Sequence, residues 1–316
     1  MRILVTGASG FIGKNFLLDQ EFQAENVFAV YNQSKDFRSF LKSNSLKHIR
    51  PFKCDFLNKK EIASLSKRIG KDFDVILYLA ANGDPAVSYK DPEYDLKANT
   101  VCLLNFLGVF CCKKFIYFSS GAVYDGLIGP VNPASRIYPT LPYAISKLAC
   151  ENYVRAFQAR YKTIGGFINV RFFGAYGPYE PERKIYTRLV RNFFTENKNE
   201  FTVTGNGRNL IDAMYVQDTV KAVNKLIKGN RKNLTLDLAC GNPVSINKLV
   251  KDAASLFGHD RAVIRHSLNV PEYIKFYSKD SQLKEFYSFR PRISLNEGLS
   301  KLSAFIEKHN KKRREK

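Results

Sequence analysis

The sequence predicts a doubly wound α/β fold, a parallel sheet with helices on both faces, followed by a smaller, mixed α/β C-terminal region. Three observations carry this reading. The chain opens on a short apolar run, Arg2-Ile3-Leu4-Val5, that passes directly into Thr6-Gly7-Ala8-Ser9-Gly10-Phe11-Ile12-Gly13. Strand, turn and helix start in that order is what a phosphate site needs. Strand and helix patterns then alternate through the first half, which argues a parallel sheet. From Gly174 onward that rhythm breaks, with Gly177-Pro178, Glu180-Pro181 and Gly205-Asn206-Gly207 marking turns. The expected layout is a Rossmann-type dinucleotide-binding domain over 1–173, with part of 212–240 a candidate to return to it. A substrate-binding region over 174–308 follows, and then a basic tail, 309–316, expected to be disordered.

Length and composition agree. At 316 residues with 45% hydrophobic content, the chain can build one large α/β domain and an appended smaller one. No stretch approaches the roughly 18 to 20 apolar residues of a membrane span, and the first residues already read as a strand rather than a signal peptide. A cytoplasmic protein with no membrane partner is expected. The six cysteines, at 54, 102, 111, 112, 150 and 240, lie mostly in apolar runs without C-x-x-C spacing, so free thiols are expected and no metal site. Lys and Arg outnumber Asp and Glu by 50 to 29, giving a net charge of +21. That charge would suit an anionic partner. Most of it is scattered, only Lys308 to Lys316 forms a run, and no nucleic-acid-binding module accompanies it.

The elements follow in order. After the first helix, Asn26-Val27-Phe28-Ala29-Val30-Tyr31 reads as a second strand and His48 to Cys54 as a third, ending at Asp55. Asn58 to Ile69 has helical spacing with an Asn N-cap candidate. Asp74 to Ala81 is a buried strand, Asp95 to Cys112 a long helix, and Lys114 to Ser120 a strand that is polar only at its carboxyl end. Pro142 opens a helix running to about Tyr161, and Gly166 to Phe173 is a sixth strand. Helices are expected beyond it near Tyr186 to Asn197, Val216 to Lys228, Ile246 to Phe257 and Leu295 to Lys308.

Two groups of residues carry chemistry. Glycines at 7 and 10 allow a tight turn and close approach of a phosphate, and Gly13 allows close packing of helix on strand. The spacing is G-x-x-G-x-x-G, and a purely structural turn is the bland alternative. Tyr143 and Lys147 stand four residues apart, on one helix face. A nearby ammonium favours the phenolate, so this pair is expected to exchange protons near neutral pH. Ser120, at the carboxyl end of the preceding strand, is placed to hydrogen-bond the same substrate oxygen.

With these residues in view, the chain resembles the extended short-chain dehydrogenase/reductase family, in its nucleotide-sugar epimerase, dehydratase and ketoreductase branch. The resemblance covers nearly the whole chain. It runs through Thr6 to Gly13, Cys54-Asp55-Phe56, Leu79-Ala80-Ala81, Asn99, Ser119 to Tyr124, Tyr143 to Lys147, Arg171 to Pro178 and Tyr215-Val216-Gln217-Asp218. It implies that Tyr143 is the acid/base, that Lys147 orients the nicotinamide ribose and lowers the Tyr pKa, and that Ser120 polarises the sugar carbonyl. Asn99 would hold the helix and a water near Lys147. Asp55 would contact the adenine edge, and Gly7, Ser9, Gly10, Phe11, Ile12, Gly13, Phe56, Leu79, Ala80 and Ala81 would line the cofactor. A nucleoside-diphosphate sugar as substrate, a role in polysaccharide biosynthesis, and a homodimer or dimer of dimers are implied as well.

Four departures shape the expectation. The second strand ends in Tyr31-Asn32 rather than in an acidic residue, and Lys35 and Arg38 follow, so the resemblance leaves NAD and NADP both open. Gly121-Ala122 stands where 4,6-dehydratases carry Asp-Glu, which removes the groups for eliminating water. No cysteine lies beside Ser120, which argues against epimerisation by deprotonation at carbon. Ile211-Asp212-Ala213 replaces the family's Arg-Asp-Phe, so Arg183, Arg188 or Arg208 is expected to hold the diphosphate, with Ser120 and Gly121 at the sugar. The expected activity is hydride transfer at C4 of a nucleoside-diphosphate sugar, by a C4 epimerase, a 4-ketoreductase or a 4-dehydrogenase. The alternative is a non-catalytic dinucleotide-sensing or nucleic-acid-binding member of the same fold.

Overall fold

The structure is a computed structural model that describes residues 1–19, 21, 25–268 and 274–314. The first half alternates as β1 (Arg2–Thr6), α1 (Phe11–Leu18), β2 (Asn26–Tyr31), α2 (Phe37–Ser43), β3 (Ile49–Lys53), α3 (Lys59–Ile69) and β4 (Asp72–Tyr78). Next come α4 (Pro85–Lys90) and α5 (Pro92–Leu96), which runs through a π-helical turn, Lys97–Val101, into α6 (Cys102–Leu107). Then follow β5 (Cys111–Ser120), a 3₁₀ turn (Gly121–Tyr124), β6 (Ile128–Val131), α7 (Pro142–Ala156) with a π-helical turn (Phe157–Tyr161), and β7 (Phe167–Phe172). The remainder comprises β8 (Ala175–Tyr176), α8 (Ile185–Val190), β9 (Glu200–Thr204), β10 (Leu210–Ile211), β11 (Met214–Tyr215), α9 (Val216–Lys228) and β12 (Leu234–Leu238). It closes with β13 (Val244–Ser245), α10 (Ile246–Leu256), β14 (Val263–Ser267), β15 (Lys275–Ser278), α11 (Gln282–Tyr287) and α12 (Leu295–Arg314).

Seven strands form one sheet in the order β12-β7-β5-β4-β1-β2-β3, and every pairing in it is parallel. The chain winds outward from β1 in one direction, then returns to β4 and winds in the other. A crevice therefore opens between the carboxyl ends of β1 and β4. Alternate side chains of each strand feed two apolar layers. Ile3, Val5, Ile116 and Val170 pack with α1 and α9 on one face, while Leu4, Ile76, Phe115 and Tyr117 pack with Phe106 and Val154 on the other. Burial on both faces explains why these strands read as continuous apolar runs. A third cluster, including Tyr176, Leu189, Phe201, Leu249 and Leu302, is the core of the smaller C-terminal region.

Local chemistry fixes the element ends. Asn58 Oδ1 accepts from the N–H groups of Lys60 and Glu61, an N-cap at the start of α3, and Glu61 reaches back to the Asp55 N–H at 2.8 Å, tying the preceding turn to the helix. At the far end of α9 the buried Lys114 amine donates to the carbonyls of Leu226, Ile227 and Gly229, a cation on the negative end of that helix. All six cysteines are free. Among the described residues no helix is long and apolar enough to cross a membrane.

Several boundaries differ from the sequence reading. The helix expected over Asp95 to Cys112 begins at Pro92 and ends at Leu107, and β5 starts at Cys111. Cys111 and Cys112 pair with Asp72 and Phe73 of β4, so sheet pairing overrides the helical spacing of the run before them. The helix α2 and the edge strand β12 went unread, each being short. The last helix continues to Arg314 rather than stopping at Lys308, so the basic tail expected to be disordered is helical that far; residues 315–316 lie outside the described residues.

Candidate active site

The turn after β1 is built by contacts that leave its glycines no room for side chains. Gly7 adopts φ +61°, and a Cβ there would stand 2.8 Å from the Ala80 nitrogen. At Gly13 a Cβ would meet the carbonyl oxygens of Gly7 and Ala8 at 2.6 and 2.7 Å. The buried Thr6 hydroxyl accepts from the N–H groups of Leu79 and Ala80, both at 3.1 Å, and so ties the carboxyl ends of β1 and β4 together. Gly10 is different: its φ is −74°, and it caps α1 without a side-chain hydrogen bond. The first turn of α1 also lacks an acidic side chain, so its N–H groups remain available to an anion.

From this turn a cavity of about 790 Å³ extends to the carboxyl end of β5 and into the C-terminal region. Gly7, Gly10, Phe11, Ile12 and Gly13 form one end of its wall, with Leu79 and Ala81 beside them. Ser120, Gly121, Tyr143 and Lys147 line the middle, and Arg183, Lys184, Tyr186, Ile211 and Phe276 the far part. Residues from the segments that follow β1 and β4, from β5 and α7, and from the C-terminal region thus meet at one site, as the strand order requires.

Tyr143 and Lys147 occupy the first turns of α7, which Pro142 opens. The Tyr143 N–H donates to Ser88 Oγ at 3.2 Å. Asp125 Oδ2 accepts from Thr140 N–H, the Thr140 hydroxyl and Leu141 N–H, which pins the entry to the helix. Lys147 is only 3% exposed; its amine donates to the Phe118 carbonyl at 2.9 Å and lies 5.8 Å from the centre of the Tyr143 ring. Ser120 Oγ accepts from the Ala122 N–H at 3.1 Å, a cap that fixes its rotamer at the start of the 3₁₀ turn.

The electrostatics differ from the sequence expectation. Burial pushes the Tyr143 phenol up to about 12, with Asp95 and Asp84 adding to the rise and a hydrogen bond with Ser120 opposing it. Burial also pushes the Lys147 amine down to about 8. The expected depression of the phenol by its ammonium neighbour is therefore outweighed by desolvation of both groups. The resting form is a neutral, hydrogen-bonded phenol.

The other expected site residues separate into groups. Asn99, 2% exposed, sits in the π-helical turn; its amide donates to Asp95 Oδ1 at 2.9 Å, which also accepts from Asn82. Asn99 Oδ1 and Asp95 Oδ2 are buried without partners, so this network has acceptor capacity left over behind Lys147. Ala80 faces Thr6, and Ser9 is not in the cavity wall. Phe56 packs on Tyr78 and Phe106 in the core, while Asp55 Oδ1 accepts from the Leu57 N–H in the turn before α3. Asn32 and the exposed Lys35 lie outside the wall, and Arg38 donates to the Tyr31 hydroxyl at 3.3 Å.

Of the three arginines expected at the substrate, Arg183 lines the cavity and pairs with Asp84 at 3.1 Å. Arg188 turns instead to the Thr202 carbonyl and the Phe201 ring, and the exposed Arg208 is not in the wall. Sequence reasoning missed Lys184, Glu180 and the Ser119–Glu151–Arg171 cluster. Ser119 donates to Glu151 Oε1 at 2.6 Å, and Arg171 forks onto both Glu151 oxygens at 3.0 Å. Arg171 carried a signal in the sequence, a charge ending an apolar strand, whereas Glu151 looked like any helix-surface carboxylate. Among the described residues no group of three or more His, Cys, Asp or Glu side chains is arranged to hold a metal ion.

Comparison with known proteins agrees with this geometry. The model of the NAD dependent epimerase/dehydratase family matches residues 3–237. The chain is 24% identical to the uncharacterized UDP-glucose epimerase YtcB of Bacillus subtilis over 314 residues, 97% of this chain and 98% of that one. It is 23% identical to the dTDP-D-glucose 4,6-dehydratase of Mus musculus, over 100% of this chain and 92% of the other. The solved UDP-glucuronic acid 4-epimerase from Bacillus cereus, in complex with UDP-glucuronic acid and NAD, superposes with a TM-score of 0.85 at 23% identity, over 98% of this chain and 100% of that one. That likeness establishes the fold.

Proposed function

The chain belongs to the NAD dependent epimerase/dehydratase family, and on that premise we propose that it is an NAD-dependent enzyme that transfers hydride at C4 of a nucleoside-diphosphate sugar. The observation that carries this reading is the single cavity joining the uncapped glycine turn to Ser120, Tyr143 and Lys147.

The residues present fit the dinucleotide. Gly10 offers a side-chain-free approach to the start of α1, and Lys147 has one carbonyl partner for three N–H donors. Gly7, Gly10, Phe11, Ile12, Gly13, Leu79 and Ala81 would hold the cofactor, with Lys147 toward its ribose. When bound, its nicotinamide takes up and returns the hydride. Tyr143 Oη exchanges the proton of the C4 oxygen: its phenolate takes the proton when the alcohol is oxidised, and the phenol so formed returns it when the carbonyl is reduced, with the Lys147 ammonium and the positive charge of the bound oxidised nicotinamide favouring the phenolate. Ser120 Oγ, hydrogen-bonded to the same phenol, shares the developing negative charge on that oxygen. Phe118, Leu141 and Phe172 in the wall keep water from the exchange.

The fate of the sugar follows from what the wall lacks. Gly121 and Ala122 stand beside Ser120, so no carboxyl group from those positions assists loss of water. This supports C4 epimerisation, with oxidation, turning of the ketone and reduction on the other face. A homodimer is part of the proposal: α4, α5 and α7 expose Tyr89, Tyr94, Leu96, Ile145 and Tyr153, more apolar surface than a solvent-facing helix layer needs. The deciding experiment releases bound dinucleotide from purified protein by denaturation, identifies it, and follows UDP-, GDP-, CDP- and dTDP-sugars for C4 inversion. Inversion without net change in the cofactor supports the epimerase; stoichiometric consumption of cofactor replaces it with a one-way reductase or dehydrogenase, and retained NADP replaces NAD.

A further inference from the structure

We propose that Lys184, with Arg183 beside it, holds the diphosphate of the sugar nucleotide. The inference rests on the reading above that the cavity takes a nucleoside-diphosphate sugar. A diphosphate carries two negative charges into a wall made largely of apolar side chains, and a buried anion needs a cation or several donors. Among the described residues the wall contains three cations, Lys147, Arg183 and Lys184. Lys147 is committed at the catalytic end, to the Phe118 carbonyl. Arg183 is half exposed and ion-paired with Asp84.

Lys184 is the wall's unused cation. It is partly buried, and among the described residues its amine has neither a hydrogen bond nor an ion pair. Burial and the charge of Arg183 hold its pKa below the ordinary lysine value, so the bare ammonium is destabilised in a way that an anion would relieve. The nearest carboxylates are engaged elsewhere. Glu180 Oε2 accepts from the Thr187 N–H at 3.0 Å and the Thr187 hydroxyl at 2.7 Å. Asp84 takes the Ala86 N–H at 3.1 Å in addition to Arg183. The root of Lys184 is fixed, because its N–H donates to the Pro181 carbonyl and its carbonyl accepts from Arg188 N–H at the entry to α8. Across the wall, Leu210, Ile211, Ile274 and Phe276 offer a diphosphate no charge, so the anion is drawn to the 183–184 side.

The test is calorimetric titration of UDP, GDP, CDP and dTDP against their nucleosides, using wild type, Lys184→Met and Lys184→Arg, with NAD titrated separately. Wild type should bind at least one diphosphate more tightly than its nucleoside. Lys184→Met should weaken that diphosphate roughly 10- to 100-fold, the range for a hydrogen bond to a charged group, and leave the nucleoside and NAD unchanged. Lys184→Arg should recover most of the loss. Diphosphate binding by Lys184→Met within twofold of wild type overturns the assignment while leaving the substrate class intact. Equal loss of nucleoside, diphosphate and NAD in both variants also overturns it, by showing a role in the fold. A wild type that binds no nucleoside diphosphate overturns the substrate reading and this inference together.

Discussion

The Lys147 amine donates to the backbone carbonyl of Phe118 at 2.9 Å, two residues before Ser120, so one hydrogen bond locks the catalytic face of α7 onto the carboxyl end of β5. Together with the Asp125 and Ser88 contacts at the head of α7, it places Tyr143 beside Ser120 in the cavity wall.

Tyr143→Phe removes the proton-exchanging oxygen and little else, because the Tyr143 N–H contact with Ser88 is retained. Turnover is expected to fall roughly 10²- to 10⁴-fold, with NAD affinity unchanged. Ser120→Ala should cost less in turnover but about 1 kcal/mol in stability, through loss of the Ala122 cap. Single-turnover hydride transfer on both single variants and the double variant measures this; a double variant as slow as the product of the singles would contradict action on one substrate oxygen.

Lys147→Met is expected to inactivate the enzyme and yet stabilise the free protein. Burial pushes the folded amine down to about 8 from 10.5, so below pH 8 the buried charge costs about 3 kcal/mol net. The unfolded chain binds more protons between pH 8 and 10.5, so wild-type stability rises with pH across that window and the variant's advantage shrinks. Denaturant midpoints of the two proteins from pH 6 to 10 test it, and a constant difference would refute the buried charge as the cause.

Glycine substitutions separate packing from binding. Gly13→Ala puts a methyl group 2.6 Å from the Gly7 oxygen and should destabilise the fold by several kcal/mol (~3). Gly10→Ala meets only the Gly7 oxygen, at 3.1 Å, with φ −74°. It should fold normally and bind dinucleotide at least tenfold more weakly. Circular dichroism melts beside NAD titration distinguish the two; normal affinity in folded Gly10→Ala would place the pyrophosphate elsewhere.

Arg171→Met leaves the fully buried Glu151 carboxylate with the Ser119 hydroxyl as its one remaining close partner apart from the more distant Arg155. A loss of about 3 to 5 kcal/mol is expected. Adding Glu151→Gln should restore part of it, since the unpaired charge is then gone. Urea unfolding of the single and double variants checks the sign of that coupling.

How much was legible in advance follows from the range of the interactions. The strand run before Thr6, the Asn58 cap and Pro142 at the head of α7 are local signals, and each element formed where they put it. Cys111 and Cys112 were placed in a helix because nothing nearby distinguishes them; their pairing with β4, some forty residues earlier in the chain, decided otherwise. Among the site residues, the glycine turn, Ser120, Tyr143 and Lys147 line one cavity, whereas Lys184, in extended backbone at the cap of α8, reaches the wall and Arg188, inside that helix, is held away by the Thr202 carbonyl and the Phe201 ring.

The sequence by itself determined the α/β winding, the phosphate-type turn and the Tyr-x-x-x-Lys face, because periodicity, turn chemistry and four-residue helical spacing act over a few residues. Tertiary structure alone decided that the phenol rests neutral, that the Thr6 hydroxyl ties β1 to β4, and that Lys184 rather than Arg208 faces the cavity. Those outcomes depend on desolvation and on contacts between residues far apart in the chain, and neither is encoded in any single stretch of it.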